Sequence, residues 1–158
     1  MPVERFDQSD DGWRRVGEKR GCESAGAALI AAYLARHPRL SATHRAQLLW
    51  HRGQLLALAG RSRDALAIFG RIHDSDRAQH WYRAATIAFL RRDRSGLMTA
   101  RSRLAVLPKP SDFDDAARRY RAQTGEDLVW PFNLGVVDAL IRCFASDYRT
   151  AYADACAR

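Results

Sequence analysis

Residues 49–72, LWHRGQLLALAGRSRDALAIFGRI, decide how this chain is read. Leu49, Gly53 and Leu56 recur at spacings of four and three, with Leu48, Leu55 and Ala59 on the adjacent stripe, the period of an amphipathic helix. Gly60 closes that helix, and Ser62 stands as the cap of a second. In the second, Ala65, Ile68, Phe69 and Ile72 fall at i, i+3, i+4 and i+7. Glycine inside a helix costs about 1 kcal/mol relative to alanine. Gly53 is therefore expected where another backbone comes close, with Ala65 as the small residue that permits the approach. The stretch predicts a tight helical hairpin.

Outward from it, Cys22 to His37 predicts a helix with Ala27, Ala31 and Leu34 on one stripe, ended by Pro38. Ser41 caps the helix that runs from Ala42 to Ala59. Downstream, Asp76 to Arg91 places Trp81, Ala84, Ala85 and Ala88 on one stripe. The segment to Leu107 places Leu97, Ala100, Leu104 and Leu107 on another, and Pro108 stops it. Gly53 then aligns with Ala85, Gly60 with Arg92, Ala65 with Leu97 and Ile72 with Leu104, a constant offset of 32 residues. Offsets of this size mark stacked helix pairs, because one pair cannot bury its apolar face alone.

Residues 111–132 interrupt the pattern. Ser111 caps a predicted helix bearing Phe113, Ala116, Ala117 and Tyr120, with acids at its start and arginines towards its end, as the helix dipole prefers. Thr124 and Gly125 end it, and EDLVWPF leads to Asn133 as the cap of the nearly all-apolar LGVVDALIRCFA, expected to be buried. The last helix shows Tyr148, Ala151, Tyr152 and Ala155 on one face. Ser146 to Ala151 repeats the bend register of Gly60 to Ala65, with Ala139 at the place of Gly53. Residues 1–20 alternate in sign without periodicity and are read as a loose N-terminal segment with one turn near Trp13.

On these residues the chain resembles a divergent tetratricopeptide-repeat protein. Leu49, Gly53, Gly60, Ala65 and Phe69 match the family's first unit, with Ile72 replacing its small residue. The second unit keeps Trp81, Ala85, Asp93 and Pro108, but has Arg92 for the bend glycine and Arg101 for the aromatic. The resemblance implies an all-α, antiparallel stack of helix hairpins, seven to eight helices in one domain over residues 21–158. Its units are about 46–77, 78–110 and 133–158, with 111–132 inserted. It also implies a concave groove that takes a protein or peptide segment. Projected onto this sequence, the groove stripe is Gln47, Trp50, His51 and Gln54, then Gln79, Tyr82, Arg83, Thr86 and Phe89. Trp50 and Gln54 do not match the lysine and asparagine with which family members clamp a C-terminal carboxylate. The alternative for this stripe is that Trp50, Tyr82 and Phe89 pack against the inserted segment.

The 158 residues are 47% apolar and 28% charged, which excludes wholesale disorder, and β-branched and aromatic runs are scarce enough that no sheet is expected. The net charge of +8 sits mainly in residues 61–110, with 11 basic residues against 4 acids. That concentration supports a second reading, a basic surface for nucleic acid or an acidic partner made of Arg61, Arg63, Arg71, Arg77, Arg91, Arg92, Arg94, Arg101 and Arg103. No aromatic interleaving or nucleic-acid motif accompanies these arginines, which favours reading them as solvated helix faces. A self-associating structural subunit is the third reading.

Chemistry is sparse. CFASDYR, Cys143 to Arg149, has the Cys-x5-Arg spacing of phosphatase loops. It lacks glycine, has arginine rather than histidine before the cysteine, and falls at a helix bend. Cys143 is read as a small buried apolar residue. All five histidines lie between His37 and His80, and His44 with His51, like His73 with His80, share a face seven residues apart. Only Asp74 and Asp76 stand near, at a helix start where capping explains them, so neither a metal nor another cofactor is expected. Without a nucleophile elbow, zinc helix or phosphate loop, no enzyme is expected. Three cysteines without close pairs point to a reducing cytoplasm. The longest apolar stretch, 25–35, is well short of the ~20 residues of a membrane span, so no membrane anchor is expected.

Overall fold

A computed structural model of the chain describes residues 1–73, 76–153 and 156. Among them there are ten helices and no strand: α1 (Val3–Gln8), α2 (Arg14–Gly17), α3 (Glu23–Arg36), α4 (Ala42–Leu58), α5 (Ser62–Phe69), α6 (Arg77–Leu90), α7 (Arg94–Ala105), α8 (Phe113–Thr124), α9 (Leu134–Arg142) and α10 (Tyr148–Tyr152). The all-α class is as expected. The count exceeds seven to eight because residues 1–20 form α1 and α2 rather than a loose segment. Asp74 and Ala155, assigned to a cap and to the last apolar face, lie outside the described residues. The helices fall in two compact units, Met1–Asp74 with Asp147–Arg149 and Ser75–Ser146 with Thr150–Arg158.

In the first unit α4 packs between α3 and α5. The capping hydroxyl of Ser41 accepts from the His44 N–H at 3.2 Å and starts α4 as expected. Gly53 faces the Phe69 ring rather than the expected backbone at Ala65: a Cβ there would stand 2.3 Å from Phe69 Cε1, and that ring is fully buried. Arg61, not Ser62, occupies the cap position of α5, and no side chain caps that end. The N-terminal segment is tied down: α2 packs on α3, Trp13 is only 4% exposed, and Phe6 stacks on Tyr33 with ring centres 3.9 Å apart. An aperiodic stretch of balanced charge concealed this because its two anchoring aromatics lie seven residues apart, one in α1 and one at the start of α2.

The second unit repeats the hairpin with α6 and α7, and α9 packs on both. The repetition extends to individual bonds. Gly60 is left-handed (φ 76°), with its N–H on the Ala57 carbonyl at 3.0 Å and the Arg61 N–H on Leu56 at 2.8 Å. Thirty-two residues on, Arg92 is left-handed too (φ 59°), with its N–H on Phe89 at 3.0 Å and the Asp93 N–H on Ala88 at 2.8 Å. Both are helix C-terminal motifs that return orphan carbonyls to hydrogen bonds, and arginine adopts there a conformation that glycine adopts freely. Gly53 and Ala85, Ala65 and Leu97, and Ile72 and Leu104 are all buried, as the offset requires. Asp76 caps α6 through the Ala78 and Gln79 N–H groups, and Asp93 caps α7 through Gly96.

Residues 108–132 hold together by their own aromatics. Phe113, Trp130 and Phe132 stand 5.3 to 5.8 Å apart, the peptide before Pro131 is cis, and Trp130 Nε1 donates to the Leu107 carbonyl at 3.0 Å. Neither Ser111 nor Asn133 makes the expected capping bond, and the cap position of α8 falls to Asp112. α9 stops at Arg142 and buries one face, Val137, Ala139 and Leu140, rather than its whole surface. The faint third echo survives at Ala139 and Ala151, both buried.

Candidate interaction surfaces

The projected groove stripe is turned from its expected orientation. Leu49 and Trp81, aligned with the family's large core residue, are half-exposed, whereas their successors Trp50 and Tyr82 are 7% and 3% exposed. Trp50 lies against Phe69 with ring centres 4.9 Å apart, so within this unit it closes the hairpin core. Thr86 is fully buried, its hydroxyl donating to the Tyr82 carbonyl at 3.1 Å, and Phe89 is buried edge-on to Phe144. Four of the nine projected contacts are thus placed inside the protein. Gln47 is exposed, and His51, Gln54, Gln79 and Arg83 are half-exposed. The reason is local: the apolar arc of α4 runs through Leu48, Trp50, Leu55, Leu56 and Ala57, wider than a stripe through Leu49 alone.

His51 is engaged from a direction the sequence did not reveal. Asp7, 3% exposed, accepts at Oδ1 from Trp13 Nε1 at 2.9 Å and stands 2.7 Å from His51 Nδ1, while Gln8 donates to its Oδ2 at 2.6 Å. Burial pushes the Asp7 carboxyl up, but the donation and positive charge of His51, with Trp13 and Gln8, outweigh it and hold the group below its ordinary value. An ionised Asp7 requires the proton on His51 Nδ1. One helical turn earlier on α1, Glu4 stands 3.6 Å from His44 Nε2, two turns back on α4. No periodic signal pairs the two sets, since acids three residues apart rise about 4.5 Å along a helix and histidines seven apart about 10.5 Å. A carboxylate orienting an imidazole resembles half of a catalytic triad. Among the described residues, however, no hydroxyl or thiol hydrogen-bonds to the His51 ring, and its other neighbour is Trp13, ring centres 5.3 Å apart.

A second buried carboxylate, Glu23, is 5% exposed and takes the Arg149 guanidinium at 2.5 Å and the Gly21 N–H at 3.0 Å. Burial raises its affinity for a proton, and the hydrogen bonds of its own N–H, Arg149 and Gly21 reverse the sign and lower it. Arg149 also donates to the Leu58 carbonyl at 2.8 Å. The Cys-x5-Arg string is accordingly dissolved, and Cys143 forms a disulfide with Cys156, Cα atoms 6.2 Å apart. This corrects the reading of Cys143 as an unpaired apolar residue: a 13-residue separation hides the pair from spacing rules, and cysteine usage no longer argues for a reducing compartment.

The basic set separates into engaged and exposed members. Arg92 donates to the Phe144 and Ser146 carbonyls at 2.5 and 2.7 Å and lies over the Phe89 ring. Arg94 lies over Phe144, Arg101 pairs with Asp138 of α9 at 2.9 Å, and Arg61 pairs with Asp64. Arg63, Arg71, Arg77, Arg91 and Arg103 are exposed. Sequence reading passed over Arg52, half-buried on α4, whose Nε is shielded from water without a hydrogen-bond partner among the described residues. Among those residues no group of three His, Cys, Asp or Glu side chains is arranged to hold a metal ion, and no helix is long and apolar enough to cross a membrane. The sequence matches no family model and no curated protein, and no solved structure matches the fold.

Proposed function

We propose that the chain is a non-catalytic, tetratricopeptide-like interaction module that takes a protein or peptide segment on the polar faces of its helix hairpins. The observation that supports this reading is the bond-for-bond repetition of the α4–α5 bend at α6–α7, down to a left-handed arginine where the first bend has glycine. A chain that keeps a hairpin register through such substitutions is organised as repeats, and repeats of helix pairs present polar faces as binding surface. Gln47 and Gln79 are equivalent at the 32-residue offset, and neither is buried, so they are the positions assigned to partner contact.

A photo-cross-linking amino acid at position 47 or 79, in the protein expressed in its native cell, tests the assignment. The expected result is one common partner from both positions and none from position 67, an exposed site on the far helix of the first hairpin. Equal capture from all three positions, or no capture from 47 and 79, would refute it.

A further inference from the structure

Among the described residues α8 packs extensively on no other helix, and Phe113 at its start, against Trp130 and Phe132, is its one buried side chain. Most of its polar side chains are satisfied from within the chain. Asp114 pairs with Lys109, Asp115 with Arg118 and Arg121 with Asp127, and the Tyr120 hydroxyl donates to Glu126 at 3.2 Å. One edge of the helix is left over. Asp112, Ala116, Arg119 and Gln123 follow at spacings of four, three and four, which a 3.6-residue period sets along one line. Asp112, Arg119 and Gln123 are exposed, and their side chains make no hydrogen bond or ion pair with any described residue; Ala116 between them is half-exposed.

That edge is complementary to itself. It carries an acid at its N-terminal end and a base two turns on. Reversed about a two-fold axis at Ala116, the same edge of a second copy lays Arg119 against Asp112 and Asp112 against Arg119, as an isologous contact requires. Ala116 at the crossing is small enough for the two helices to approach closely. The charge of the segment selects the same partner. Residues 108–132 hold four basic residues against five acids in a chain of net charge +8, so two copies meet here without the repulsion that the chain as a whole imposes, and a phosphate-rich surface finds no excess of positive charge. Apolar surface lies close by: Phe132, against Phe113 of α8, is exposed, as are Val129 and Val106, the neighbours in sequence of Trp130 and Leu107. We infer that α8 is a self-association edge, on which a second copy of this chain docks antiparallel through Asp112, Ala116, Arg119 and Gln123.

Sedimentation equilibrium of the full chain at low ionic strength tests the inference. The parent is expected to show a concentration-dependent monomer–dimer equilibrium. D112R and R119D each set like charges against one another twice in the dimer and are expected to raise its Kd about tenfold or more. The double variant D112R/R119D exchanges the two signs, restores the complementarity and is expected to return to within about twofold of the parent. D114R makes the same change in net charge two residues on, on the opposite side of the helix, and is expected to shift the Kd less than about twofold. A chain that stays monomeric at every concentration would overturn the inference. Equal weakening by D112R and D114R would overturn it in favour of diffuse repulsion. A double variant that associates no better than the single ones would also overturn it, by showing that the substitutions act on the helix and not on the pairing.

Discussion

Replacing Gly53 by alanine tests the packing on which the first hairpin rests. On helix propensity alone the change should stabilise, by about 1 kcal/mol in a helix interior. The structure predicts the opposite sign. The new Cβ would stand 2.3, 2.7 and 2.8 Å from Phe69 Cε1, Cδ1 and Cζ, all closer than real methyl contacts allow. A ring at a surface would swing aside, but Phe69 is fully buried and backed by Trp50, so relief has to come from α4 and α5 moving apart. Overpacking of this kind costs about 1–3 kcal/mol, and the steepness of the overlap places Gly53→Ala near the upper end. Set against the propensity gain, the net loss is about 1–2 kcal/mol. Urea unfolding followed by far-UV circular dichroism measures it. Gly135→Ala is the control, since a Cβ there meets nothing within 4 Å, and it should leave stability unchanged or raise it. In a cycle with Phe69→Leu, the smaller side chain should cost less in the alanine background, a coupling of about 1 kcal/mol between residues in contact. A Gly53→Ala protein as stable as the parent would refute the close approach and with it the explanation of this glycine.

Three further outcomes follow from the buried polar groups and the disulfide. Asp7 and Glu23 both hold their protons less tightly than free carboxyls, so their stabilisation is fully present above the ordinary carboxylate range and is lost as pH falls through the lowered values. Urea midpoints should therefore drop as pH falls below the ordinary carboxylate range, and Asp7→Asn, about 1–3 kcal/mol less stable at neutral pH, should show a shallower drop. A protein whose stability falls only above pH 5 would contradict the assignment. Arg149→Met strands the buried Glu23 carboxylate and should cost about 2 kcal/mol by thermal unfolding, while adding Glu23→Gln to it should recover part of that loss. Thiol titration of the denatured protein should find one free thiol, Cys22, before reduction and three after, and Cys143→Ser should lower stability by about 3 kcal/mol under oxidising conditions only.

What was legible in the sequence was whatever repeats at short range. Helix periodicity placed α3, α4, α6 and α7 to within a few residues, and the 32-residue offset anticipated which positions would be buried in pairs. What was not legible depended on partners distant along the chain. Asp7 and His51, 44 residues apart, give no periodic signal, nor do Glu23 and Arg149 across 126 residues. The error at Trp50 was of a third kind. A helix wheel sets angles only relative to an assumed centre, and taking Leu49 rather than Trp50 as that centre displaced the stripe by one residue in both hairpins at once. The same comparison reveals a linked change that no single hairpin shows. Gly53 needs no Cβ because the Phe69 ring fills that space; at the offset, the ring is replaced by Arg101, which pairs with Asp138 on α9, and Ala85 carries the Cβ that Gly53 lacks. At equivalent positions the first hairpin thus has glycine with phenylalanine and the second alanine with arginine. An Arg101→Phe change alone should therefore crowd Ala85 and strand Asp138, and Arg101→Phe with Ala85→Gly should be the better tolerated pair.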